Sequence, residues 1–137
     1  MRATNQSSAN ARTLSIRGAG ALAIALAVNL ALSWITLRLG LVASTEFFRY
    51  PAVVVWTLIG MGGATLVYGT LKRRRTAPDQ TFVRIAAVVL VLSFIPDIGL
   101  VLATDVVTTS EGIGLMMLHV PPAVVSVLAL PETPLGR

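Results

Sequence analysis

Two apolar runs, residues 85–104 and 112–130, each hold one ionisable side chain, Asp97 in the first and His119 in the second. At about 1.5 Å of rise per residue, either run spans about 30 Å as a helix, which is the thickness of a hydrocarbon core. An ionisable group at that depth is expensive and turns toward a partner or a water-filled cavity. The acidic loop DVVTTSE at 105–111 joins the runs into a hairpin, and each ionisable residue stands seven positions from the loop end of its own run. Asp97 and His119 are therefore expected to be mutual partners at matching depth.

Two more runs of the same kind precede these. Gly18 to Leu37 lies between Arg17 and Arg38, and Ala52 to Leu71 follows Pro51, a residue well tolerated in a first helical turn. A basic start before an apolar stretch is also the pattern of a signal peptide. The first run is longer than a signal core, however, and further spans follow it, so an uncleaved helix is expected. Hydrophobic residues make up 55% of the chain and charged residues 12%, against roughly 25% charged in soluble domains. Lipid is the solvent this composition fits. The expected fold is all-α: a four-helix transmembrane bundle with spans at about 18–37, 52–71, 85–104 and 112–130, forming one membrane domain over 14–131. Residues 1–13, polar and without apolar periodicity, read as a disordered tail, and 132–137 as a short one.

The charges orient the bundle. Lys72, Arg73, Arg74 and Arg75 follow the second run directly, as cytoplasmic flanks do. With both termini inside, Arg2, Arg12, Arg17, Arg84 and Arg137 join them on the cytoplasmic side, leaving Arg38 and Arg49 outside. That positive-inside pattern predicts a multi-pass protein of the plasma membrane with both termini cytoplasmic. The basic residues form no aromatic-lined groove, so no nucleic-acid partner is expected. Cysteine is absent and histidine occurs once, which leaves no metal-ligand signature, and no cofactor is implied.

Within the helices, Gly18, Ala21, Ala25, Asn29, Ser33 and Thr36 share a face of the first through steps of three and four, and this small, polar stripe should pack inward. Residues 38–50, with Phe47, Phe48 and Tyr50 beside Glu46 and Arg49, suit an interface, as a plain loop or a short helix. On the second helix Trp56, Gly60 and Gly63 share a face, and Gly60 with Ala64 forms a small-xxx-small pair. Such a pair serves packing within the bundle or a dimer seam. Pro96 interrupts the third helix, and Pro121 with Pro122 the fourth, where the two prolines free the carbonyls of Met117 and Leu118. Residues 76–84 form a short hairpin, and Ser110 is placed to cap the fourth helix.

Asn29, Asp97 and His119 thus fall in one layer, about 10–12 Å below the outer boundary, with Trp56 entering near it. Asn29 or Ser93 is placed to supply the pair's remaining hydrogen bonds. Three readings follow: a polar clasp fixing helix register, a proton- or ligand-handling site, and a catalytic centre. Interhelical hydrogen bonds commonly act as membrane glue, which favours the clasp. No nucleophile stands beside a base in the sequence, so a non-enzymatic structural, accessory or interaction protein is expected. Its partners would be the lipid bilayer and a homo-oligomer or membrane-protein partner. The alternative is a small oligomeric proton-coupled transporter or channel subunit using the same pair.

The string LSFIPDI at 92–98, followed by LMMLHVPPAVVSVLALP at 115–131, resembles the paired signature of small four-span bacterial membrane proteins known as domain of unknown function six thousand and sixty-nine. Pro96 with Asp97, and Met117 with Leu118 and His119, carry the resemblance. The Trp56 to Gly63 stretch and the basic hairpin fit it in order. Pro122 departs from the pattern and leaves the backbone below His119 open. The resemblance implies a fold and a membrane location, and no activity or substrate.

Overall fold

A membrane-length apolar run has one economical way to satisfy its backbone, which is to bond each N–H to the carbonyl four residues back. The computed structural model describes residues 2–42, 46–103, 105 and 107–132, with the backbone alone for 2–10. These residues form four helices: α1 Arg2–Arg38, α2 Tyr50–Arg74, α3 Pro78–Ala103 and α4 Thr109–Ala129. All four are long and apolar enough to cross a membrane.

α1 and α3 begin well before their apolar runs. α1 begins at Arg2, so residues 2–13, expected to be a disordered tail, continue the first helix. Once a helix is nucleated, each added residue gains a hydrogen bond at little further cost, and Ala3, Ala9, Ala11 and Arg12 are good helix formers. Residues 78–84, expected in a hairpin, instead form the first turns of α3, which opens on Pro78. α2 carries its proline in the first turn and Lys72, Arg73 and Arg74 in the last, where they complement the helix dipole. Thr104, where the third run was expected to end, lies outside the described residues.

α4 starts with a capping box. The Thr108 hydroxyl accepts from the Glu111 backbone N–H at 3.4 Å, while the Glu111 carboxylate accepts from the Thr108 N–H at 2.8 Å. Thr108 is therefore the cap, and not Ser110. The threonine precedes its glutamate by the three positions that let both backbone donors be satisfied reciprocally.

α1 packs on α2 and α4, α3 packs on α4 and α2, and α2 meets α4 across the centre. The inward stripe of α1 is as the sequence places it: Ala21, Ala25, Asn29 and Ser33 are buried, and Ile16, Ile24, Val28 and Ile35 are exposed. Small side chains matter here because lipid gives apolar surfaces no incentive to leave it, so close packing must hold the helices. A Cβ on Gly18 would lie 2.9 Å from Thr65 Cγ2, so glycine is what lets α1 and α2 approach there. Gly114 does the same on α4, where a Cβ would lie 2.9 Å from Phe48 Cζ.

That phenylalanine belongs to a single 3-10 turn, Glu46–Phe48, between α1 and α2. Phe48 is buried and packs with Val42, Val107 and Leu115 in a core cluster. Its carbonyl accepts from the buried Ser33 hydroxyl at 2.8 Å, tying the turn to α1. α3 is peripheral: 6% of its most apolar window is buried, against 22% in each of the other three helices, so most of its surface is left for lipid.

Candidate functional site

Proline decides where the polar layer forms. Pro122 has no N–H, so the Leu118 carbonyl loses its partner inside α4. The Asn29 amide takes that place: its Nδ2 donates to Leu118 O at 3.0 Å and to Thr57 Oγ1 at 2.9 Å. Thr57 in turn donates to Val53 O at 2.7 Å within α2. One buried asparagine thus joins α1, α2 and α4 and supplies a donor to a carbonyl that a proline had orphaned. Its own Oδ1 is buried without a hydrogen-bond partner among the described residues.

The next residue of α4 faces the other way. His119 Nδ1 lies 2.9 Å from Leu115 O, one turn back in the same helix. A carbonyl only accepts, so Nδ1 carries a proton in either charge state, and Nε2 is the nitrogen that gains or loses one. Asp97 Oδ2 stands 3.4 Å from that same Nδ1, close enough for attraction, yet the N–H is committed to Leu115. Oδ2 is buried with no hydrogen bond among the described residues. The Asp97 side chain is 8% exposed and the His119 side chain 39%, so the carboxylate sits inside and the ring lies at the bundle's edge. Phe94 flanks the ring edge-to-face, with centroids 6.4 Å apart.

The structure thus places Asp97 and His119 side by side and puts Asn29 with Thr57 and Leu118, on the opposite flank of α4. Neither Asn29 nor Ser93 completes the pair's hydrogen bonds, because the Ser93 hydroxyl donates to Leu90 O at 2.7 Å within α3. A serine hydroxyl in a helix reaches a carbonyl of the preceding turn more readily than a group across an interface. Trp56 does not enter the layer. It is 69% exposed, and its neighbour Thr57 takes the inward position. The buried positions Val53, Thr57, Met61 and Tyr68, spaced by four, four and seven, were the signal for that face. Gly60 and Gly63 are exposed, with nothing within 4 Å of an added Cβ among the described residues, so they are not packing positions of this bundle. Ala64 packs against the Tyr68, Phe82 and Leu130 cluster. α3 and α4 remain helical through Pro96, Pro121 and Pro122.

A second polar cluster, unforeseen in the sequence, closes the basic end. The buried Tyr68 donates to Asp79 Oδ1 at 2.7 Å and accepts from the Glu132 N–H at 3.2 Å. Lys72 pairs with Glu132 at 2.6 Å, and Arg17 Nη1 donates to Leu130 O and Pro131 O at 3.4 and 3.3 Å. Glu132, expected in a tail, is thereby anchored to α2.

Two surface grooves accompany these clusters, both almost wholly apolar. One, of about 430 Å³, runs between α1 and α4 past Val28, Leu32 and Pro121. The other, of about 410 Å³, runs between α1 and α2 past Ala19, Leu22, Gly62 and Leu66.

Four membrane-length helices around a polar layer define the class, an all-α bundle compatible with a multi-pass membrane protein. Residues 7–134 fit the model of a family of unknown function, DUF6069, and the chain belongs to that family. No curated protein and no solved structure matches the chain.

Proposed function

We propose that this chain is a non-enzymatic accessory or interaction protein of the plasma membrane, with both termini cytoplasmic and the Asp97–His119 pair acting as a clasp between α3 and α4. The observation that carries the reading is the commitment of His119 Nδ1 to Leu115 O at 2.9 Å with Asp97 beside it. This arrangement fixes the ring on its own helix and draws the peripheral α3 against it. Direct proton exchange between Asp97 and the ring is opposed by this geometry, since the nitrogen that faces the carboxylate is tied to Leu115 O. The basic residues concentrated at one end support the orientation.

The transport reading keeps one observation in its favour: Asp97 Oδ2 is buried without a hydrogen bond among the described residues, an arrangement a passing proton would relieve.

Nitrogen NMR of His119 in nanodiscs separates the two. For the clasp, the ring signals change in Asp97→Asn and stay insensitive to the pH of the outer solution. A ring that follows outer pH in the wild type overturns the clasp in favour of transport. Orientation is tested apart, by cysteines at Ala77 and Thr108: labelling from opposite sides is expected, and labelling from one side defeats the four-span topology.

A further inference from the structure

We propose that the groove between α1 and α2 binds one anionic phospholipid, with an acyl chain along the groove and the phosphate at Arg12 and Arg73, which continue its two faces toward the basic end. This rests on the chain spanning a bilayer and is independent of what Asp97 and His119 do.

The groove is lined by Ser15, Gly18 and Ala19 of α1 and by Met61, Gly62 and Leu66 of α2, of which Gly18 and Met61 are buried. The site is open on the outside of the bundle, where the surrounding medium is hydrocarbon, and a volume of about 410 Å³ accommodates an acyl segment. Along α2, Arg73 follows Leu66 by seven residues and Gly62 by eleven, near-whole numbers of turns, so it continues the face that lines the groove. Along α1, Arg12 precedes Ser15 by three and Ala19 by seven, and it continues the other wall. The helices are antiparallel neighbours, with Gly18 level with Thr65 and Gly69 level with Leu14, which brings Arg12 and Arg73 to nearly the same height at the mouth. Both are exposed.

Charge at this end is unbalanced. Asp79 accepts from Tyr68 at 2.7 Å, and Glu132 is paired with Lys72 at 2.6 Å. Among the described residues, these two carboxylates of the basic end are therefore engaged in the bundle's own cluster, while Arg12 and Arg73 are exposed to an outside anion. A guanidinium binds a phosphate through two parallel donors, and its aliphatic stem lies along apolar surface while the head reaches the interface. Apolar groove and cationic mouth match the two ends of one lipid.

The test is native mass spectrometry of the full chain in mild detergent, titrated separately with phosphatidylglycerol and phosphatidylcholine of the same chains. We expect one phosphatidylglycerol to bind about tenfold more tightly than phosphatidylcholine, a difference lost in the Arg12→Gln/Arg73→Gln variant. Arg74→Gln/Arg75→Gln lowers the same net charge off this face and should keep the preference. Gly62→Leu, at a position with open space around it, should weaken both lipids by filling the groove. Circular dichroism checks that each variant is folded. Equal binding of the two lipids overturns the proposal, as does equal loss in both arginine pairs. A groove occupied by a second copy would overturn it too, and would show as dimers that Gly62→Leu disperses.

Discussion

Leu118 and His119 are successive residues of α4, yet they anchor two polar contacts of opposite character. At Leu118 the participants are neutral, deeply buried and joined by direct hydrogen bonds of 2.9 and 3.0 Å through Asn29. At His119 they are ionisable, and the closest approach to the partner, 3.4 Å, competes with a bond to the helix's own backbone. The neutral contact sits where three helices converge, whereas in the ionisable one the carboxylate is buried and the ring lies at the bundle's edge. A carbonyl orphaned by proline demands a donor wherever it lies, whereas an imidazole tolerates an edge, where the ring keeps access to its surroundings. The direct hydrogen bonds of Asn29 are therefore expected to constrain register more strongly than the ionisable pair does.

Replacing Asn29 gives the largest expected effect. Asn29→Ala strips both hydrogen bonds and should destabilise the bundle by about 1–2 kcal/mol, read from unfolding in mixed micelles. Pro122→Ala restores a backbone donor for Leu118, so in that background the loss from Asn29→Ala should fall by about half; an unchanged loss would break the link between the two residues.

The His119 side is tested by a double-mutant cycle of Asp97→Asn and His119→Gln, with an expected coupling of about 0.5–1 kcal/mol. Zero coupling would mean that the two are neighbours without being partners, and a coupling above that of Asn29 with Pro122 would reverse the ranking of the two contacts. Smallest of all is the half-exposed Lys72–Glu132 pair, where Lys72→Met should change stability by at most about 0.5 kcal/mol and lose even that in high salt.

Residue types and spacing determined much of this protein. Run lengths defined four helices long and apolar enough to cross a membrane, and the three- and four-residue steps from Gly18 to Ser33 defined the buried face of α1, because a helix turns every 3.6 residues whatever surrounds it. Pro122 marked Leu118 as a carbonyl in need, since the missing N–H is a covalent fact. The sequence also paired Asp97 with His119 at one depth, from their distances to a shared loop.

What answered Leu118 was decided by tertiary structure alone. The sequence leaves Asn29 or Ser93 to complete the ionisable pair, yet Asn29 lies on α4's other flank, and which flank α1 occupies depends on helix packing around an axis that periodicity leaves free. The same rotation turned Trp56 outward and Thr57 inward, and left Gly60 and Gly63 on the surface. The closure of the basic end by Tyr68, Asp79 and Glu132 spans more than sixty positions of chain, from α2 to the end of α4. Local pattern fixes which face of a helix is buried, but which neighbour covers it depends on how all four helices pack at once.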